Sequence, residues 1–344
     1  MTFLSDKALQ RLRALTEAPD LSGTRYRLLE RVARGGMGVV YAAQDVKLAR
    51  RVALKILDHP DHSGDLSGRL IREARVLARL EHPGIVPVHD VGTLTDERVF
   101  YTMKFVEGLS LDDYAKRMES LPDRLRLFLQ ICDAVAFAHA RGVLHRDLKP
   151  ANIMVGSFGE VLVMDWGLAK VLSDAGRDHA QNRNAIVSQA IDGEFSASDN
   201  REDVAHVATN HGTVMGTPGY MSPEQAGGNV EALDARSDIF SLGAILKFLA
   251  EAPVENSVTK SSWMNKPLAA ISAKAMAAHR EDRYQNVSDF SAEVSNYLDG
   301  RPIKAYRESF LERSGRFYRR HNIAILLIAV YLLVRAILIL FFRR

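Results

Sequence analysis

One eight-residue run constrains this chain more than any other: His145-Arg146-Asp147-Leu148-Lys149-Pro150-Ala151-Asn152. It follows directly on residues 121–141, whose apolar positions recur with the period of a long helix. The run therefore sits in a loop. A fold must carry that loop between the helix and the short strand signals at 152–155 and 161–163.

The flanking sequence divides into two parts. Residues 26–57 are strand-rich, with Gly35, Gly36 and Gly38 clustered between two β-branched runs. A helix is predicted over 67–80, with Leu70, Ala74, Leu77 and Leu80 on one face. His82-Pro83-Gly84 ends it, and strands follow at 85–91 and 98–106. Helical periodicity returns at 236–250, 267–278 and 287–298. A small strand-rich lobe followed by a larger helical lobe is α+β architecture. Before it, 1–25 reads as a short helical extension, with Leu4, Leu9, Leu12 and Leu15 at helix-like spacing. Within the helical part, 173–212 is polar, aperiodic and too long for an ordinary connection.

The C-terminal end differs from the rest. Residues 323–342 read IAILLIAVYLLVRAILILFF. As a helix they span roughly 30 Å, the thickness of a bilayer core. Fifteen Leu, Ile, Val and Phe side chains favour insertion by ~5–9 kcal/mol in sum, and Arg335 opposes it by ~2.5–3.5 kcal/mol. Insertion wins, so a transmembrane helix is expected. It is preceded by a basic segment, 301–322, that includes Arg313, Arg316, Arg319, Arg320 and His321. Only Arg343 and Arg344 follow the span. The longer basic flank favours the cytoplasmic side of the inner membrane for the preceding lobes. The flank either holds anionic headgroups or is a solvated linker. With two residues beyond the span, no extracellular sensor is expected on this chain. Met1 to Asp6 begins no apolar run, so no secretory signal is expected either. The net charge of +3 is too small to imply a nucleic-acid partner. The single cysteine, Cys132, allows no intrachain disulfide and lies in an apolar helical stretch, where a buried inert thiol is expected.

The polar motifs have a common chemistry. Ala33-Arg34-Gly35-Gly36-Met37-Gly38-Val39-Val40 can form a lid whose glycines let backbone N–H groups approach phosphates. Lys55, on the strand after it, gains an ion-pair partner in Glu73 on the next helix and is expected to hold the α- and β-phosphates of ATP. Asp147 would take the proton of an attacking hydroxyl, and Lys149 would steady the transferring phosphate. Asn152, together with Asp165 of Asp165-Trp166-Gly167, would hold Mg2+, with Mn2+ as an alternative.

With these motifs in this order, residues 26–300 resemble a bacterial member of the eukaryotic-type (Hanks-type) serine/threonine protein kinase family. The resemblance implies a two-lobed kinase fold, with a small lobe over 26–106, a large lobe over 107–300 and a long activation loop over 165–224. It implies that 216–224 (GTPGYMSPE) ends that loop, that Asp238 anchors the catalytic-loop backbone, and that Arg283 pairs with Glu224. It places Met103 behind the adenine, backbone groups of Lys104 and Val106 at the adenine edge, and Val40, Ala53 and Met154 around the ring. Lys149 with Thr217 follows the family's Ser/Thr pattern, so protein substrates carrying those hydroxyls are expected. Arg146 implies a phosphate on the activation segment, and Thr209 and Thr213 are the expected sites, autophosphorylated in trans within a homodimer. Ser188, Ser196 and Ser198 are further candidates.

Four departures stand out. Ala33 takes the place of the first lid glycine, which predicts weakened ATP affinity at most. Trp166 replaces the usual phenylalanine. The loop at 173–212 exceeds the usual length. Only about 45 residues separate Asp238 from Arg283, so 251–266 is too short for a further helix with its loops, and a substrate-docking surface is expected to be trimmed. A catalytically weak kinase-fold scaffold at the membrane is the alternative from another class, and a small-molecule phosphotransferase is a third. Retention of Lys55, Asp147, Asn152 and Asp165 favours the enzyme over the scaffold, and 216–224 argues against the small-molecule enzyme.

Overall fold

The computed structural model describes residues 18–35, 38–61, 64–166, 170–171, 217, 219–228, 233–252, 265–307, 326–328 and 330–335. The strand-rich half forms one antiparallel sheet. It contains β1 (Tyr26–Arg34), β2 (Val39–Asp45), β3 (Arg50–Ile56), β4 (Val88–Thr93) and β5 (Val99–Lys104), in the order β1-β2-β3-β5-β4. Helix α1 (Asp65–Ala78) packs against it. β3 is buried on both faces, and the period of two sorts its side chains. Val52, Leu54 and Ile56 join Tyr26, Val39, Tyr41 and Phe100 in an outer cluster. Ala53 points the other way, into the main core beside Leu70, Ala74 and Leu77 of α1. Lys55 shares the face of Ala53 and is therefore carried inward, under the helix. Glu73 lies on the buried stripe of α1 with Leu70, Ala74 and Leu77, so a carboxylate occupies a position that helical spacing reserves for apolar groups. Gly38 opens β2, where a Cβ would stand 2.2 Å from the Ile56 carbonyl oxygen, so only glycine lets the end of the lid lie this close to β3.

The large lobe is built on α3 (Leu121–Ala140). It follows β6 (Gly108–Ser110) and α2 (Leu111–Arg117). Ser120 caps α3 by accepting the Asp123 N–H, and Leu125, Phe128, Ile131, Cys132 and Val135 are fully buried along it. Then come β7 (Val143–Leu144), β8 (Ile153–Gly156), β9 (Val161–Val163), β10 (Lys170–Val171), α4 (Pro223–Ala226), α5 (Ala235–Glu251), α6 (Lys266–Ala275) and α7 (Val287–Leu298). β6, β8 and β9 form a three-stranded sheet, and β7 pairs with β10. α5 is apolar on nearly all sides and packs on α3 and α6. Each such fully buried Leu or Ile contributes roughly 1.5–3 kcal/mol. Gly243 on α5 meets Ala275 and Met276 so closely that a Cβ would stand 2.8 Å from each. That approach seats α6, whose Leu268, Ile271 and Ala275 are fully buried, against the rest of the lobe. The lobes are stitched at the back by Ile85, bridged in parallel to Val163, with the Val163 N–H donating to the Gly84 carbonyl.

Two buried charges organise this lobe. Arg124 of α3 donates to the carbonyls of Ala115 and Met118 beside the end of α2 and of Leu249 and Ala252 at the end of α5. A cation at two negative helix ends is favourable, and its burial lowers the arginine to a pKa of about 10. Glu293 of α7 accepts the N–H groups of Lys304 and Ala305 and, with buried Ile303, docks the segment that leaves the lobe.

The expected elements appear within a few residues of their predicted limits. β6, α2, β7, β10 and α4 were not anticipated; they are two to seven residues long, too short for periodicity to register. Cys132 is buried, and burial pushes its thiol up, in keeping with inertness. Residues 1–17, Gly36, Met37, the loop at 173–212 with Thr209 and the three candidate serines, Thr213, 253–264 and the basic residues 313–321 lie outside the described residues. Among the described residues no helix is long and apolar enough to cross a membrane. Of the predicted span at 323–342, residues 326–328 and 330–335 are described, and they are helical with exposed side chains.

Arg283 and Glu224 tie α4 to the segment before α7 through two bonds of 2.7 and 2.9 Å. Burial alone would raise the Glu224 carboxyl, but the Arg283 hydrogen bonds outweigh it and bring the pKa from 4.5 down to about 2. A depressed carboxylate stabilises the fold above pH 4.5 and loses that contribution as pH falls toward 2. Glu224→Gln should therefore cost about 3 kcal/mol in urea unfolding at pH 7 and roughly half of that at pH 3. A deficit that did not change between the two pH values would rule out this assignment.

Candidate active site

The predicted loop is held from below by one carboxylate. Asp238, in the first turn of α5 and buried, accepts the backbone N–H of His145 at 2.9 Å through Oδ2 and that of Arg146 at 2.8 Å through Oδ1. His139 Nε2 lies 2.7 Å from the same Oδ2. Burial would raise this carboxyl, but His139, then His145 and the Arg146 N–H, keep it below the usual carboxylate range. The anchor matters because Arg146 has φ +71°, a left-handed conformation that costs a non-glycine residue about 1–3 kcal/mol. Its carbonyl is fixed as well, by Gln225 Nε2 at 2.6 Å. The His145 ring reaches Met164 O at 2.9 Å and packs against Trp166, with ring centroids 4.6 Å apart. Trp166 is thus a buried plug, and its indole N–H donates to Val163 O.

Above this base the reactive groups converge. Lys149 Nζ bonds Asp147 Oδ2 at 2.7 Å and Thr217 Oγ1 at 2.8 Å, and the Thr217 hydroxyl reaches Asp147 Oδ1 at 3.4 Å. The Asn152 amide nitrogen donates to the Asp147 carbonyl at 2.8 Å and to its Oδ2 at 3.2 Å. With that nitrogen committed, the amide oxygen is the atom a cation would take. On the other side of the cleft, Lys55 Nζ contacts Glu73 Oε1 and Oε2 at 2.7 and 2.9 Å and Asp165 Oδ1 at 3.3 Å. Burial opposes the charged lysine, but Glu73 and then Asp165 hold its pKa above the ordinary value. Asp165 is pulled the other way. Its side chain is half exposed, and the desolvation that remains is outweighed by Lys55 and then His145, which hold its pKa below the usual carboxylate range. It too has positive φ, +58°.

The remaining predicted residues are distributed around these. Ala33 pairs with Val40 across β1 and β2, and Gly35 N–H donates to Gly38 O at the base of the lid beyond Arg34. Met103 is buried opposite Ala53 in the β3–β5 register. The Lys104 N–H is committed to Pro87 O, which removes it as a donor to a ring edge. Val106 follows in the connection to β6, and Met154 lies on β8. Among the described residues no group of three or more His, Cys, Asp or Glu could hold a metal. Asp165 and Asn152 supply hard oxygen donors that suit Mg2+ or Mn2+ only when phosphate and water complete the shell. Arg146 is part-buried, and its Nε and one terminal nitrogen have no partner among the described residues. Burial lowers its pKa, with Asp238 opposing. Sequence reasoning missed Gln225, His139 and Tyr101, whose contacts are set by tertiary register.

A sequence model described as the protein kinase domain matches residues 26–301. The chain is 32% identical over 317 residues to a serine/threonine-protein kinase PknD of Protochlamydia amoebophila, covering 80% of this chain and 30% of that protein. It is 35% identical over 331 residues to the PknD of Chlamydia trachomatis serovar L2b, covering 87% of this chain and 34% of that one. The chain thus spans about a third of the length of these curated relatives. The crystal structure of the Mycobacterium tuberculosis PknI kinase domain superposes with a TM-score of 0.52 at 24% identity, over 79% of this chain and 95% of that one, a likeness of fold.

Asp238→Asn would keep one acceptor and set an amide N–H2 against a backbone donor. It should destabilise the chain by ~2–4 kcal/mol, and hydrogen exchange at the His145 and Arg146 amides should accelerate more than elsewhere in the lobe. Unchanged protection at both amides would refute the anchor.

Proposed function

The chain belongs to the protein kinase family, and on that premise we propose that it transfers the γ-phosphate of ATP to serine and threonine hydroxyls of proteins. The observation that carries this reading is the cluster of Asp147, Lys149 and Thr217, bonded at 2.7 and 2.8 Å through one ammonium. In it a carboxylate able to accept a hydroxyl proton sits beside a cation able to steady a phosphoryl group. The Thr217 hydroxyl links both to the segment that would receive a protein substrate. Lys55, kept charged and aimed by Glu73, holds phosphate oxygens on the opposite side. Bound magnesium supplies further neutralisation of phosphate charge, and Asp165 and Asn152 are the residues that would hold it, with manganese as an alternative. The solvent-shielded position of the Lys55–Glu73 pair strengthens the lysine's attraction for phosphate relative to bulk water.

Control by autophosphorylation belongs to the same reading. The Arg146 guanidinium, with buried nitrogens that have no partner among the described residues, suits a phosphate carrying about −1.5 to −2 charges on Thr209 or Thr213, transferred in trans between two copies. Anchoring in the inner membrane through 323–342, with the lobes on the cytoplasmic side, is supported by the apolar sequence and its basic flank. The exposed helical side chains Leu326, Leu327, Ile328 and Val330 to Val334, half or more accessible, have no covering partner among the described residues.

With Mg-ATP and a generic acceptor protein, Asp147→Asn should lower kcat by about 10²–10⁴-fold, and Lys55→Met should weaken nucleotide use. Mass spectrometry of the wild type should find phosphate in the 205–217 peptide and lose it in Asp147→Asn. Equal transfer by all three proteins would defeat the enzyme reading. In membranes from expressing cells, the chain should resist alkaline carbonate and dissolve in detergent, and deletion of 323–342 should release it. Release of the intact chain by carbonate would defeat the anchor.

A further inference from the structure

We propose that Tyr101 is a positioning residue for the Lys55–Glu73 pair, a hydroxyl latch that ties α1 to β5 whatever the lysine is doing. The inference rests on the kinase reading of Lys55. Tyr101 stands on β5 directly opposite Lys55 in the β3–β5 register. Its hydroxyl donates to Glu73 Oε1 at 2.8 Å, the same oxygen that Lys55 Nζ contacts at 2.7 Å. The tyrosine is 1% exposed and Glu73 3% exposed, so no water replaces either donor freely. Burial, and next the Glu73 charge, push the phenol well above its ordinary pKa, so it remains a donor at any working pH.

Lys55 serves two carboxylates already, with Asp165 Oδ1 at 3.3 Å, and phosphate oxygens would draw its ammonium further from Glu73. With lysine as its sole donor, Glu73 would then be a buried carboxylate short of partners, a costly state that an outward shift of α1 relieves. The Tyr101 bond does not compete for phosphate. It leaves Glu73 with a charge-assisted hydrogen bond throughout, so α1 keeps the geometry that aims the lysine. Lys55 Nζ also stands 5.8 Å from the centre of the Tyr101 ring, so one side chain contacts both partners of the pair.

The test uses the full chain in detergent, with Mg-ATP affinity measured by calorimetry and kinetics on a generic acceptor protein. Tyr101→Phe keeps the ring and removes only the hydroxyl. It should raise both the Kd and the KM for ATP about three- to tenfold, with kcat within twofold and the thermal midpoint of the free protein little changed. In a Glu73→Gln background the same substitution should add less than twofold, which a merely structural packing role would not produce. If Tyr101→Phe does not fold, Tyr101→Met carries the same comparison. Wild-type ATP affinity in Tyr101→Phe, or effects of the two substitutions that multiply, would overturn the latch. A wild type that binds Mg-ATP but transfers nothing would overturn the kinase reading alone, leaving affinity to decide on Tyr101. One that binds no Mg-ATP would overturn both.

Discussion

The buried carboxylate of Asp238 is the interaction on which the site depends. An ionised group fully withdrawn from water is tolerated only with several hydrogen bonds. Here two backbone amides and a histidine ring provide them. The amides belong to the two residues that precede Asp147. The cost of burying one charge is thereby converted into a fixed direction for the catalytic loop, and the left-handed turn at Arg146 can persist because both ends of that residue are bonded. Remove the carboxylate, and the left-handed turn at Arg146 would be held from one side only, through the Gln225 bond to its carbonyl.

The same device recurs wherever two elements must keep a relation that apolar packing alone would leave loose. Lys55 and Glu73 join β3 to α1, Arg283 and Glu224 join α4 to the approach to α7, and Arg124 ties the ends of α2 and α5. Apolar contacts are non-directional and tolerate small slides, whereas each of these charges has partners at 2.6–2.9 Å that a slide would break. The core supplies the bulk of the stability, and the buried polar groups select which of its near-equivalent packings is occupied.

Much of this was legible in the sequence. The strand-rich run around Lys55, the helical spacing of Leu70, Ala74 and Leu77, and the density of charge from His145 to Asn152 are local signals, and local signals survive in one dimension. Tyr101 and Gln225 could not be found that way. Tyr101 reads as another aromatic in a buried strand, and only the pairing of β5 with β3 sets its hydroxyl on Glu73. Gln225 looks like a polar residue of a four-residue helix, and only the return of that helix beneath the loop sets its amide on Arg146 O. The bond from the Lys104 N–H to the Pro87 carbonyl is set in the same way, by the chain turning into β4 beside β5. Register and return are properties of the whole fold, which is why these partners escape a reading by motif.

Among the described residues four non-glycine residues have positive φ, and two of them, Arg146 and Asp165, lie at the site and flank the reactive cluster. Relaxing either would turn its neighbours out of the cleft, so the strain is maintained by bonds on the far side of each residue. Arg146 is held through Asp238 and Gln225. Asp165 is held between the Lys55 ammonium and the buried Trp166, which occupies the core behind it. The bulk of that tryptophan, where a phenylalanine would suffice to fill an apolar slot, gives the turn a hydrogen bond to Val163 O as well as a plug. The stored strain and the polar anchors are thus one arrangement. Large-lobe elements fix the backbone on either side of Asp147, so that the groups above it stand on a rigid base.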